Sequence, residues 1–148
     1  MIDMINDNYE EFHQKIFDKL SDYSYREQRY NLDFSIVIAL CDENVDSSKL
    51  INIKRQTDEL IILKDNLFCI VLDGASSASE VKAASHIQTE FLNMFGDKKL
   101  FIAVVTVQDY INHNDMIDSL FKVLKYSIVS NTHNIIVDKD LTLHNSKY

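Results

Sequence analysis

Glycine and proline are almost missing from this 148-residue chain. It contains two glycines, Gly74 and Gly96, and no proline, where average usage would give about ten and seven. Phosphate-binding loops of the common nucleotide folds need several glycines at short, fixed spacings, so that the backbone can approach the phosphates. The sequence therefore excludes both the dinucleotide-binding fingerprint and the P-loop.

Positive charge is also scarce. The chain has 15 lysines and arginines against 23 aspartates and glutamates, a net charge of −8, and its only arginines are Arg26, Arg29 and Arg55. Binding to a nucleic-acid backbone needs a stripe of basic side chains. We therefore expect no nucleic-acid partner.

Long apolar segments are absent as well. No apolar run approaches the roughly 20 residues of a membrane span, and the N-terminus lacks the basic and apolar segments of a signal peptide. Cys41 and Cys69 lie inside short apolar runs and are typical of small core residues in a reducing compartment. With 46% apolar and 26% charged residues, the chain is expected to be a single cytoplasmic domain without a membrane span.

The first half of the chain contains clear helix and strand patterns. Apolar side chains at spacings of three and four predict an amphipathic helix over residues 4 to 24. The apolar run Phe34 to Leu40 predicts a central strand buried on both faces. A short helix is then expected, capped by Ser47 or Ser48 and ending near Thr57. Two further strands, Leu60 to Leu63 and Leu67 to Leu72, should form an antiparallel hairpin around Lys64-Asp65-Asn66.

The second half begins with the capping box Ser77-x-x-Glu80, which predicts the start of a helix with Gly96 as its C-terminal cap. The expected buried face of this helix is Ala83, Ile87, Phe91 and Met94. The remaining expected elements are a strand over Leu100 to Val107, a helix from Asn114 or Asp115, a strand over Asn134 to Val137, and a small hairpin to Leu141-Thr142-Leu143.

This order, α, βαββαβ, α, β, predicts an α+β fold. Its inner six elements match the ferredoxin-like palm, an antiparallel sheet with helices on one face. A palm of this kind can bind two metal ions through acidic residues at the end of the first strand and in the adjacent hairpin. Asp42 and Asp65 occupy those places, but a strand end and a turn are ordinary positions for aspartate. The five histidines lie on different elements without metal-ligand spacing, so no metal site is expected.

Arg55 and Asp58 form a second candidate site just before the hairpin. An arginine can make bidentate bonds to O6 and N7 of guanine, and a carboxylate three residues on can accept from guanine N1 and N2. The alternative is a helix-end ion pair that contributes less than about 1 kcal/mol.

The position of this Arg-x-x-Asp motif along the chain favours a binding site. The sequence resembles the GGDEF family of diguanylate cyclases, whose domain is an elaborated βαββαβ palm with an inhibitory RxxD motif five residues upstream of the GGDEF hairpin. Here five residues follow Asp58, and Lys64-Asp65-Asn66-Leu67-Phe68 then stands where GGDEF should be. The resemblance extends over about residues 24 to 138, through segments such as REQRYNLDFSIVIAL and FCIVLDGASSASEVKAASHI.

The departures from the family bear on activity. Lys64 and Asp65 replace the two glycines, and Asn66 and Leu67 replace the metal-binding and catalytic acids, so that Phe68 alone is retained. The first-strand metal aspartate aligns with Leu40 in one register and with Asp42 in another. Only twelve residues separate Asp42 from Arg55, so the family's guanine-binding segment is missing. The resemblance therefore implies a protein that is not an enzyme and needs no metal or cofactor.

The expected organisation is an N-terminal helix over 1–24, followed over 25–148 by the degenerate GGDEF-like domain that the resemblance implies. Its expected ligand is cyclic di-GMP, as a single molecule or an intercalated dimer, with Arg55 on the Hoogsteen edge of guanine and Asp58 on N1 and N2. Lys54 or Lys49 would neutralise phosphate. The alternative is a module of bacterial signalling that binds no nucleotide and mediates homodimerisation or contact with another signalling protein.

Overall fold

The computed structural model describes residues 1–30, 33–76 and 78–145. Side chains of residues 22–30 and of Asn145 are outside the description. The described chain contains four α-helices, two short 3₁₀ helices and six strands. In chain order they are α1 (Ile2–Asp7), α2 (Tyr9–Tyr30), β1 (Phe34–Cys41), a 3₁₀ helix (Ser47–Asn52), β2 (Glu59–Lys64), β3 (Leu67–Asp73), α3 (Glu80–Phe95), β4 (Leu100–Thr106), a 3₁₀ helix (Val107–Asp109), α4 (His113–Val129), β5 (Ile135–Val137) and β6 (Leu143–Asn145).

The six strands form one sheet in the order β2-β3-β1-β4-β5-β6. Neighbouring strands are antiparallel except for β4 and β5, which run parallel. All eight residues of β1 are buried, as the continuous apolar run predicts. The α+β palm is therefore confirmed, with the predicted hairpin formed by β2 and β3.

Helices cover both faces of this sheet. The two helices of the inner βαββαβ unit lie on one face, as predicted, and the helices outside that unit cover the other. Helices α1, α2 and α4 enclose one core cluster, in which Phe12 stacks on Phe121. Helix α3 and the first 3₁₀ helix cover the other, around Phe68 and Phe91. The physical reason lies in the central strands, which are apolar at successive positions and so present an apolar surface on both sides.

The N-terminal helix is interrupted once. The structure has α1 and α2 in place of the single predicted helix, with the break at Asn8, whose Nδ2 donates to the carbonyl of Met4 over 2.8 Å. A side chain that bonds to nearby backbone in this way competes with helix continuation. The apolar stripe still buries Ile5, Phe12, Ile16 and Leu20. Because α2 continues to Tyr30, the proposed division of the chain at residue 24 stays a prediction.

Two helix starts differ from the sequence expectation. Asp46, rather than Ser47 or Ser48, caps the first 3₁₀ helix by accepting from the backbone N–H of Ser48 over 3.1 Å. Helix α4 begins at His113, earlier than predicted, because Asn112 accepts from the N–H of Asp115 over 2.9 Å. In both cases the structure selects an earlier Asp or Asn, which are as good as or better than serine at caps.

Helix α3 begins at Glu80, and Gly96 (φ 82°) ends it as predicted. Ser77 of the expected capping box lies outside the described residues. Since Glu80 is the first residue of the helix rather than its third, it does not occupy the capping-box position. The buried face is also rotated relative to the expected one: it contains Ala84 and Gln88, whereas Met94 is 38% exposed.

Both cysteines are buried in the sheet as free thiols, as expected for core residues. Cys41 belongs to the cluster under α3 and Cys69 to the cluster under α2 and α4. Within the described ranges, no helix has both the length and the apolar character that a membrane span requires.

Candidate functional site

The tip of the β2–β3 hairpin is followed directly by two apolar side chains that lie in the core. Lys64 and Asp65 are exposed, but Leu67 is fully buried and Phe68 is 1% exposed. The Phe68 ring stacks on Phe91 of α3 at a centroid distance of 5.7 Å. Leu67, which the sequence resemblance aligns with the catalytic acid of GGDEF domains, therefore lies in the hydrophobic core.

The end of β1 next to the tip is also apolar and buried. Leu40 is fully buried and pairs with Leu67 across the two strands. Asp42 lies beyond the strand end, where its Oδ1 accepts from the backbone N–H of Lys99 over 3.2 Å. Among the residues that the structure describes, no group of three or more His, Cys, Asp or Glu side chains could hold a metal ion. Asp42 thus terminates a strand, and Asp65 lies in a turn.

Arg55 and Asp58 lie at the opposite end of the hairpin and bond to each other. The Arg55 Nε is 2.9 Å from Asp58 Oδ2, and its Nη2 is 2.8 Å from Oδ1. The same carboxylate accepts from the backbone N–H groups of Arg55 and Asp73, each over 3.1 Å. Arg55 Nη2 also donates to the carbonyl of Asp73 over 2.9 Å. We call this set of Arg55, Asp58 and Asp73 contacts the corner brace.

The two charged members of the corner brace differ in exposure. The Asp58 side chain has no exposed surface, whereas the Arg55 side chain is 44% exposed. A carboxylate that is buried and accepts several N–H bonds is well satisfied in place. Asp58 therefore holds Arg55 in a fixed orientation, and in this arrangement the guanidinium, not the carboxylate, faces solvent.

An open cleft of about 310 Å³ lies beside the Arg55 guanidinium. Its lining includes Gly74 and Ala75 after β3, and Ser79, Lys82 and His86 from the start of α3. Lys82 and His86 are four residues apart and so share a helix face. We call this the Arg55 cleft. It combines a positively charged rim with an apolar wall.

Lys54 lies beside the corner brace rather than in the lining of the cleft. Its Nζ donates to the carbonyl of Arg55 over 3.2 Å. Lys82 and His86 were not singled out as binding residues from the sequence. The signal that could have found them is their i, i+4 spacing on the helix that directly follows the Asp73-Gly74 turn.

No model of a protein family matches this sequence, and neither does any curated protein. Solved structures do match. The GGDEF domain of DgcB from Caulobacter crescentus, solved in complex with c-di-GMP, has a TM-score of 0.66 at 6% identity, over 83% of this chain and 87% of its own. The GGDEF domain of YfiN from Pseudomonas aeruginosa has a TM-score of 0.64 at 12% identity, over 86% and 92%.

A diguanylate cyclase protein from Thermotoga maritima is also similar, with a TM-score of 0.56 at 18% identity over 72% of this chain and 89% of its own. At sequence identities this low, the similarity shows the fold alone. The chain has the α+β palm fold of GGDEF domains.

Proposed function

We propose that this chain is a catalytically inactive GGDEF-like domain that acts as a receptor for cyclic di-GMP through the Arg55 cleft. The observation that carries the proposal is the cleft itself, which is lined by Arg55, Lys82 and His86. Two of the similar solved structures are described as GGDEF domains with cyclic di-GMP. This is consistent with a GGDEF-like fold that serves as a binding domain for this nucleotide.

Inactivity is supported by the hairpin tip. Transfer of a nucleotidyl group on this fold would need carboxylates that hold metal ions close to the phosphates. The tip presents Lys64, Asp65 and Asn66, and the next position is the buried Leu67. Leu40 has no carboxylate, and the carboxylate of Asp42 accepts from the backbone N–H of Lys99 beyond the end of the strand. We therefore expect no turnover of GTP.

Recognition would divide between a guanine base and its phosphates. A bidentate contact of Arg55 with O6 and N7 of guanine would require its Nη2 to leave the carbonyl of Asp73, while Asp58 holds the other side of the guanidinium. Lys82 and His86 are placed to contact phosphate, and Lys54 is a further candidate for that role. The predicted contact of Asp58 with guanine N1 and N2 would require Arg55 to release the carboxylate, because the Asp58 side chain is fully covered.

The size of the cleft limits how much ligand enters it. A volume of about 310 Å³ is at the lower end of small-molecule pockets, which are about 300 to 1,000 Å³. One guanine with its phosphate would occupy the cleft and the rest of the ligand would extend outside. Both a single cyclic di-GMP and one end of an intercalated dimer fit this description.

Thermal unfolding with and without cyclic di-GMP tests the proposal. A ligand present at 100 times its dissociation constant adds about 2.7 kcal/mol to the free energy of unfolding, which is a readily measured rise in melting temperature. GMP at the same concentration is the control for nonspecific nucleotide effects. An unchanged melting curve at saturating cyclic di-GMP would contradict the receptor function.

The second candidate is a module for dimerisation or for contact with a signalling protein, without a nucleotide ligand. The corner brace favours it, because Arg55 and Asp58 already have a structural role that requires no ligand. This candidate predicts no response to cyclic di-GMP together with self-association or stable capture of a partner. Sedimentation velocity over a concentration series, in parallel with the melting curves, distinguishes the two.

A further inference from the structure

A short series of hydrogen-bonded polar groups crosses the sheet behind the Arg55 cleft. Ser35 on β1 and Thr106 on β4 are fully buried and directly opposite each other, with 2.9 Å between their hydroxyl oxygens. Ser35 Oγ donates to the carbonyl of Ala75 over 2.8 Å. At the other end, Thr106 Oγ1 is hydrogen-bonded to a carboxyl oxygen of Glu80. The series therefore links the first residue of α3 to a residue that lines the cleft.

The number of hydrogens decides the protonation state of this series. Three oxygen-to-oxygen contacts connect Ala75, Ser35, Thr106 and Glu80, and each needs one hydrogen. The two hydroxyls supply two, because a hydroxyl has a single O–H donor and a carbonyl has none. With an ionised Glu80, one of the three contacts would have no hydrogen, which is unfavourable because the two hydroxyls are fully buried. A protonated Glu80 supplies the third.

We propose that Glu80 carries a proton in the folded protein, and that this proton completes a latch tying the start of α3 and the Ala75 wall of the cleft to the centre of the sheet. In the latch, the Glu80 carboxyl donates to Thr106, Thr106 donates to Ser35, and Ser35 donates to the carbonyl of Ala75. The latch does not depend on the ligand proposed for the cleft.

The groups around Glu80 include some that raise its pKa and some that lower it. Burial raises the pKa of Glu80 above its ordinary value, and the carboxylates of Asp109 and Asp138 raise it further. Donation from Thr106 and the charge of His144 would lower the pKa of Glu80, and so would the N-terminus of α3, which favours an anion.

Each of these neighbours has a partner of its own. His144 Nε2 is 2.9 Å from Asp138 Oδ2, and Lys139 Nζ is 3.5 Å from Asp109 Oδ1. The Tyr110 hydroxyl, also close to this region, is bound to Ser119 at 2.5 Å. Lys139 and His144 are therefore each paired with an acid that lies near Glu80, and the acids and the burial together favour the proton on Glu80.

The latch has a defined pH dependence. A carboxyl whose pKa is higher in the folded than in the unfolded chain binds its proton more tightly on folding. Its stabilising effect is complete below the unfolded pKa and is lost as the pH rises through the folded pKa. Raising the pH should therefore weaken the attachment of α3 and of the cleft wall.

The variant Glu80→Gln tests the latch, because the glutamine amide can donate to Thr106 at every pH. We expect its melting temperature to exceed that of the wild type by about 2–4 °C at pH 8, a shift typical of 1 kcal/mol in a chain of this size. The difference should disappear toward pH 4, where Glu80 is protonated. Glu90→Gln is the matched control on the same helix, since the side chain of Glu90 makes no hydrogen bond or ion pair with any described residue. It should follow the wild-type pH course.

An opposite sign would overturn the latch. If Glu80 is ionised and stabilises the N-terminus of α3, then Glu80→Gln lowers the melting temperature at pH 8. The titration of the Glu80 side-chain carboxyl by carbon NMR in the wild type needs no variant to fold. A midpoint above those of the exposed glutamates is expected, and a midpoint at or below them would contradict the proposal.

Discussion

The two ends of the β2–β3 hairpin are held in different ways. At the tip, the chain turns through exposed polar residues and is anchored by Leu67 and Phe68 in the core. At the other end, the corner brace joins the start of β2 to the end of β3 through a buried carboxylate. The tip is thus held by apolar burial together with hydrogen bonds between Asn66 and Cys41. The corner, in contrast, is held by the ion pair of Arg55 and Asp58.

The largest expected effect comes from placing an acid at position 67 of the hairpin. Leu67→Glu should lower the free energy of unfolding by more than about 4 kcal/mol, because it puts an unpaired charge in the core. Leu67→Met, which keeps the side chain apolar, should cost less than about 1.5 kcal/mol. Urea denaturation of both variants measures the difference. A well-folded Leu67→Glu protein would contradict the assignment of this position to the core.

Breaking the corner brace should have the next largest effect. Asp58→Ala removes the acceptor of two backbone N–H groups and of the guanidinium, and we expect a loss of about 2–4 kcal/mol. The loss is not larger because the partly exposed Arg55 side chain can be hydrated in the variant. Asp65→Ala at the tip is the control and should change stability by less than about 0.5 kcal/mol. Similar losses for the two variants, measured by urea denaturation, would remove the contrast between the ends.

A smaller effect is expected when the two residues at the tip, Lys64 and Asp65, are replaced by glycine. Lys64→Gly with Asp65→Gly should lower the free energy of unfolding by about 1–2 kcal/mol in total, since each glycine loses more backbone entropy on folding. Neither this variant nor the wild type should form cyclic di-GMP from GTP and Mg²⁺, as judged by chromatography of the reaction mixture. An active GGDEF domain serves as the positive control. Product from the wild-type chain would show that carboxylates at other positions support the chemistry.

The sequence was sufficient to predict most of the framework, because continuous apolar runs and helical spacing are local signals. Strands β1 to β4 and the β2–β3 hairpin lie where the patterns place them. Helix starts were less predictable, since neighbouring residues such as Asp46 and Ser47 compete for the same cap. The covering of both sheet faces was predictable too, because the continuous apolar run of β1 indicates a strand that is buried on both sides.

The site was less predictable than the fold. Position along the chain can bring Arg55 and Asp58 together, but it cannot show that the carboxylate is buried and bound to Asp73. That burial depends on the end of β3, a strand that is distant in sequence from Arg55. The latch of Glu80, Thr106 and Ser35 was missed for a similar reason. Its only sequence signal is a lone hydroxyl residue within each of two apolar strands.

Calorimetric titration of cyclic di-GMP into the wild type and into matched lysine variants tests the receptor proposal most directly. Arg55→Ala would also break the corner brace, so Lys82→Ala is the better variant, because Lys82 lines the cleft without belonging to the brace. Lys64→Ala removes the same charge from the hairpin tip. We expect saturable binding to the wild type, about tenfold weaker binding to Lys82→Ala, which corresponds to 1.4 kcal/mol, and unchanged binding to Lys64→Ala. No binding by the wild type, or equal binding by Lys82→Ala, would contradict a receptor site in the Arg55 cleft.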